Sequence, residues 1–186
     1  MKVTPTEIPD VLLIEPEVFR DERGFFLESY QRERFRDAGI DCEFVQDNHA
    51  KSVRGTVRGL HFQRKPGQAK LVRATCGRVW DVAVDIRPDS KTFGRWVARE
   101  LSEDNHHMLF VPVGFAHGYA VLSDVAEFQY KCSWYYLPDE EAGFRWNDPD
   151  VGVEWPIDAP ILSNRDQTSP CLRELFPERP PERWPG

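Results

Sequence analysis

A chain of 186 residues is long enough for one domain with a buried core, and its 40% hydrophobic and 30% charged content is that of an ordinary soluble fold, not a disordered or fibrous one. The formal charge of -7 argues against a nucleic-acid surface, so an anionic ligand has to meet a local cationic pocket. Four widely spaced cysteines, Cys42, Cys76, Cys132 and Cys171, form no CxxC pair and read as reduced thiols.

The N-terminal apolar run, Val11 to Ile14, is too short for a signal segment or a membrane span, which makes the cytoplasm the expected compartment. A short helix is predicted in "YQRERFRDAGI", with Phe35 three residues before Ala38 and Gly39 as its stop. From Glu43 to Ser133 the chain reads as strands: "EFVQD", "TVRGLHF", "KLVRATC", "RVWDVAVDIR", "WVARELS", "HMLFVP", "HGYAVL" and "AEFQYKC". The stretches "KPGQ", "CGR", "RPDSKTFG", "SEDN" and "PVGF" separate them. In "RVWDVAVDIR", Trp80, Val82, Val84 and Ile86 alternate with Asp81, Ala83 and Asp85, so one face is apolar and the other carries two carboxylates. Many short strands with Gly and Pro turns predict an all-β jelly-roll barrel with a few short peripheral helices. Residues 1–170 form the expected domain, and 171–186 a proline-rich tail that adds little to the core.

Strand "VRGLHFQ" carries Arg58 and His61 where apolar residues are usual. A histidine titrates near ~6.5 and can exchange a proton at neutral pH, but a strand histidine can also be a core residue bonded to a carbonyl. Residues three apart face opposite sides of a regular strand, so a shared cavity requires a bulge or bend at Gly59. None of His49, His61, His106, His107 and His117 forms an HxH pair, and Gln63 stands where the second would be, which reads against a metal site. His117, between "PVGF" and Gly118, is read as starting a strand at a tight turn, where rim function and turn capping are both open. Tyr130 and Tyr136 offer phenols as proton donors or as plain packing residues. Lys70, Arg23, Arg58 and Arg73 are candidate phosphate-holding cations, and Asp166 sits in the loop "LSNRDQTSP".

Taken together, "EPEVFRDERGFFLESY", "FVQDNHAKS", "VRGLHFQ", "QAKLVRATCGRVWDVAVDIRPDSKTFGRW", "VPVGFAHGYAVLS", "YKCSWYYLPDEEAGFRWNDPDVGVEWP" and "LSNRD" resemble the dTDP-4-dehydrorhamnose 3,5-epimerase family of cupin-like jelly rolls, over about residues 3–170. The resemblance implies a reaction without metal or cofactor on a dTDP-linked 4-keto-6-deoxyhexose, with proton removal and return at carbons 3 and 5. It implies His61 as base, Asp166 as its orienting partner, Tyr130 as acid and Lys70 as the cation beside the enolate. Asp81 and His117 match the family's second pair at the sugar pocket. Arg23, Glu28, Gln46, Asn48 and Arg58 match positions that hold nucleotide, diphosphate or sugar, and Tyr136 lines the sugar or nucleotide side. Two departures are small: "AHGY" for the usual "AHGF", and Arg165 for a common lysine.

The resemblance further implies a homodimer whose N-terminal strand joins the partner's sheet, with Arg23 and Glu28 completing the other subunit's site. Neither nucleic acid nor membrane is an expected partner. A single-centre epimerase of a deoxysugar pathway, a non-catalytic sugar-nucleotide binding module and a metal-dependent cupin oxygenase are the competing functions.

Overall fold

The computed structural model describes residues 1–178. The N-terminal part gives strands β1 (Lys2–Pro5), β2 (Leu12–Glu15), β3 (Val18–Asp21) and β4 (Gly24–Leu27), then helix α1 (Arg32–Asp37). Next come β5 (Gln46–Val53), β6 (Val57–Gln63), β7 (Lys70–Cys76), β8 (Arg78–Asp85), β9 (Trp96–Ser102), β10 (Met108–Val111), β11 (Phe115–Val121) and β12 (Val125–Cys132). Strand β13 (Glu141–Gly143) and helices α2 (Asn164–Thr168) and α3 (Leu172–Leu175) follow. One sheet runs β1-β2-β10-β7-β12-β5 and a second β13-β6-β11-β8-β9, while among the described residues β3 and β4 pair only with each other.

Side-chain alternation divides the strands between three apolar clusters. Val72, Leu109 and Phe128 from the first sheet meet Val79, Ala83 and Leu101 from the second, so the two sheets face each other across a common interior. Each such side chain withdrawn from water contributes about 1.5–3 kcal/mol. Leu71, Met108 and Phe110 turn the other way, onto Phe35 and Ile40. Phe35 is 1% exposed and fixes α1, whose first turn is capped by the Gln31 side chain accepting from the Arg34 N–H at 2.6 Å.

The apolar face of β8 lies outside the barrel. Val82, Val84 and Ile86 are covered by Phe144, Val151 and Leu172, and the carboxylate face, with Asp81, turns inward. This moves the domain boundary: Leu172 is fully buried, and Phe176 packs on Phe93 with ring centroids 5.5 Å apart. The tail expected from residue 171 onward therefore joins the core through at least Phe176. Residues 179–186, most of the proline-rich stretch, lie outside the described residues.

Other expectations shift for physical reasons. The strand expected at "EFVQD" runs instead from Gln46 to Val53, because its inward residues are polar and give no hydrophobic alternation to read. His117 lies inside β11, 7% exposed, and not at a rim, since pairing with β8 begins two residues earlier at Phe115. The first two strands pair within this chain's own sheet, β1 with β2 and β2 with β10, which leaves β1 at the edge of the six-stranded sheet.

Candidate active site

Gly59 decides whether Arg58 and His61 share a cavity. Along β11 the register runs His117↔His61 and then Tyr119↔Arg58, two steps against three, so β6 holds an extra residue there. Gly59 has φ +123°, and a Cβ on it would sit 2.6 Å from Gly118 Cα and 2.8 Å from the His117 carbonyl oxygen. Only glycine fits that approach. The bulge brings Arg58 and His61 into one cavity of about 760 Å³.

His61 Nε2 lies 2.5 Å from Asp166 Oδ1. The N-cap of α2 places this carboxylate: Ser163 Oγ accepts from the Asp166 N–H at 3.1 Å and donates to Asp166 Oδ2 at 2.8 Å. Asp166 is 3% exposed. Burial pushes its carboxyl upward, but the hydrogen bond and charge of His61, with Ser163 and Arg165, outweigh it and leave the pKa below the usual value. A carboxylate only accepts, so Nε2 carries the proton and Nδ1 is the basic nitrogen of His61.

Tyr130 comes from β12 in the opposite sheet and lines the same cavity. Burial, with smaller contributions from Cys132 and Tyr119, pushes its phenol up to about 12, so it holds its proton at neutral pH. Lys70 Nζ lies 5.9 Å from the centre of the Tyr130 ring. Burial lowers the Lys70 pKa, and Cys132, Asp81 and Glu141 partly offset this. His117 Nε2 is 3.0 and 2.9 Å from the two oxygens of Asp81, which is fully buried. Burial raises the Asp81 carboxyl against the pull of His117 and Lys70.

Arg58 Nε donates to Ser52 Oγ at 3.0 Å, which aims the guanidinium along the cavity wall. On the neighbouring edge strand, Gln46 Nε2 donates to Asn48 Oδ1 at 3.0 Å and Gln46 Oε1 accepts the Tyr136 N–H at 2.9 Å. Gln46, Asn48 and Tyr136 line a smaller compartment of about 270 Å³ that shares His61, Lys70 and Tyr130 with the first. The site thus offers an acid and a base from facing sheets, a cation beside them, and a polar extension along β5.

A model of the family described as dTDP-4-dehydrorhamnose 3,5-epimerase matches residues 5–174. The chain belongs to the dTDP-4-dehydrorhamnose 3,5-epimerase family. It is 54% identical over 168 residues to the dTDP-4-dehydrorhamnose 3,5-epimerase of Shigella flexneri, covering 89% of this chain and 93% of the relative. A dTDP-6-deoxy-D-glucose-3,5-epimerase from Legionella pneumophila, solved with dTDP-4-keto-L-rhamnose, is 42% identical with a TM-score of 0.92, covering 100% of this chain and 99% of that one. A 3'-monoepimerase from Streptomyces bikiniensis, solved with dTDP-quinovose, is 36% identical with a TM-score of 0.87, covering 93% of this chain and 90% of that one.

Within this 3,5-epimerase family framework, some expected residues stand apart from the cavity. Arg23 sits in the β3–β4 turn, its side chain 86% exposed and paired with Asp21, and Glu28 pairs with Arg34 at 2.9 Å. Arg73 points from the outer face of β7 into a different depression, with Asp47, His49 and Lys131. The family departure at Tyr119 is buried and stacked on Phe128, ring centroids 4.1 Å apart.

Two residues that sequence reasoning did not place also belong to the site. Glu141 lines the cavity beside His61, bonded by Tyr136 Oη at 2.6 Å and paired with Arg165 at 2.6 Å. The adjacency of Arg165 to Asp166 was the available signal, whereas Glu141 lies in the acidic run "PDEE" with nothing to distinguish it.

Proposed function

We propose that this chain inverts carbons 3 and 5 of a dTDP-linked 4-keto-6-deoxyhexose, converting dTDP-4-dehydro-6-deoxy-D-glucose to dTDP-4-dehydro-L-rhamnose. The observation that carries the proposal is the placement of the His61–Asp166 pair and the Tyr130 phenol on facing sheets around one cavity. Hydrogens on carbons 3 and 5 are acidified by the ketone at carbon 4. His61 Nδ1 takes the proton from one face, and Asp166 stabilises the imidazolium that forms. The electron pair moves onto the keto oxygen, where Lys70 meets the developing enolate charge. Tyr130 returns a proton to the other face, which inverts the centre; His61 then gives up its proton to solvent and the Tyr130 phenolate takes one back, so that the same cycle serves the second carbon.

Arg58, Gln46 and Asn48 supply polar contacts for the nucleotide diphosphate and sugar, the Asp81–His117 pair borders the sugar, and Tyr136 borders the nucleotide. No metal or cofactor takes part in these steps. The β3–β4 hairpin exposes Phe19, Phe25 and Phe26 at 56%, 55% and 69%, and among the described residues it pairs with no other strand of its own chain. These features, with β1 at the edge of its sheet, support a homodimer in which the N-terminal segment reaches the partner and carries Arg23 and Glu28 toward its site. None of the described helices is long and apolar enough to cross a membrane, and a sugar-nucleotide substrate fits a cytoplasmic enzyme.

His61→Ala separates this function from a pure binding module. The variant is expected to lose turnover of the keto sugar by about 10³-fold or more, while dTDP affinity measured by calorimetry stays close to that of the parent. Turnover retained in the variant overturns the assignment of the base.

A further inference from the structure

Gln63 occupies the position that would complete an HxH pair, and proton transfer leaves it unused. It follows His61 by two residues on β6. Its side chain grips one residue at both ends: Nε2 donates to the Leu137 carbonyl at 3.2 Å, and Oε1 accepts the Leu137 N–H at 3.2 Å. Two further glutamines hold the same stretch, Gln46 through the Tyr136 N–H at 2.9 Å and Gln68 Nε2 through the Trp134 carbonyl at 2.8 Å.

The stretch so held, residues 134–137, belongs to no helix or strand. Its Trp134, Tyr135 and Tyr136 remain 45%, 59% and 49% exposed, so burial contributes little to its conformation. Side-chain bonds to its backbone do that instead. The far end is tied as well: Tyr136 donates to Glu141, which is the register partner of Gln63 across β13 and β6. Arg165 holds the same carboxylate one residue from Asp166. The compartment enclosed by these contacts is lined by His61, Gln63, Tyr130 and Tyr136.

We infer that Gln63 is a positioning residue: it fixes residues 134–137 so that Tyr136 walls the compartment beside His61 for the nucleotide half of the substrate, and the strand carrying the base also sets substrate affinity. This inference rests on the sugar-nucleotide function proposed above. A wall already in place spares the ligand the ordering of the Tyr136 ring and the backbone that carries it when it binds. Without the amide, the Leu137 N–H loses its partner and the carbonyl keeps only its bond from the Glu140 N–H at 3.1 Å, so the substrate has to order the segment itself.

The test is Gln63→Leu, which keeps the approximate side-chain size and deletes both bonds. Expected are a KM for the keto sugar and a Kd for dTDP raised about tenfold or more, with a smaller change in kcat. Amide exchange at Leu137 is expected to accelerate, while the amides of β8 stay protected. Gln63→Glu retains the acceptor for the Leu137 N–H and recovers part of the affinity. It gives the same comparison should Gln63→Leu fail to fold. Parental dTDP affinity with parental Leu137 exchange in a folded variant overturns the inference, as does a fall in kcat with dTDP affinity kept. If the parent enzyme itself neither binds dTDP nor turns over the keto sugar, the proposed function fails instead, and Leu137 exchange in the variant still reports whether Gln63 holds the segment.

Discussion

His61 and Asp166 lie 105 positions apart in sequence, yet their side chains meet at 2.5 Å, and this contact has a stability consequence of definite sign. The Asp166 carboxyl titrates below its unfolded value of about 3.9, so the folded state binds that proton less readily than the unfolded chain does. Its stabilisation is complete above the unfolded value and is lost as pH falls through the lower folded value. Asp166→Asn is therefore expected to flatten the decline in stability below about pH 4, measured by denaturant unfolding across a pH series. An unchanged acid limb in the variant contradicts the coupling. Asp81 has the opposite sign, because burial raises its carboxyl, so the two carboxylate–histidine pairs are not equivalent. The tie from Ser163 to Asp166 is the N-cap of α2, a helix where the sequence was read as a loop, and its meeting with β6 is a matter of tertiary packing.

At the scale of elements, the strands between Val57 and Cys132 were legible, whereas the short N-terminal strands β1 to β4 and the full extent of the polar-faced β5 were not. "RVWDVAVDIR" and "AEFQYKC" show alternation, and they form β8 and β12. β5 hides because its inward Gln46, Asn48 and Ser52 line polar cavities in place of a core. The bend required at Gly59 was deducible from the wish to put Arg58 and His61 in one cavity, and the register shift supplies it. The residues that cover the outer face of β8 include Leu172, from a segment read in the sequence as a proline-rich tail. Leu172→Ala tests that correction. It is expected to destabilise the protein by about 2–5 kcal/mol in equilibrium unfolding, as for other fully buried leucines. A loss under about 0.5 kcal/mol would return residues beyond 170 to the status of a dispensable tail.

At the scale of the molecule, one chain supplies His61, Lys70, Tyr130 and Asp166, but leaves Arg23 and Glu28 outside its own cavity. Phe19, Phe25 and Phe26 stay exposed on a hairpin held to its own chain through His106, which packs on Phe25 with ring centroids 4.5 Å apart and lies 3.1 Å from Arg20, and they call for a second copy to cover them. Light scattering is expected to give the mass of a dimer for the parent chain, and Phe26→Glu to shift it toward monomer with reduced turnover. A monomeric parent with full activity contradicts that arrangement.

The sharpest claim is that one acid–base pair acts at two carbons of the same sugar, since the 3'-monoepimerase relative shares the fold. Incubating dTDP-4-dehydro-6-deoxy-D-glucose with the protein in heavy water, and locating deuterium by NMR in the epimerised product, tests it directly. Deuterium at both carbon 3 and carbon 5 is the predicted result; deuterium at one of them alone, or at neither, contradicts it.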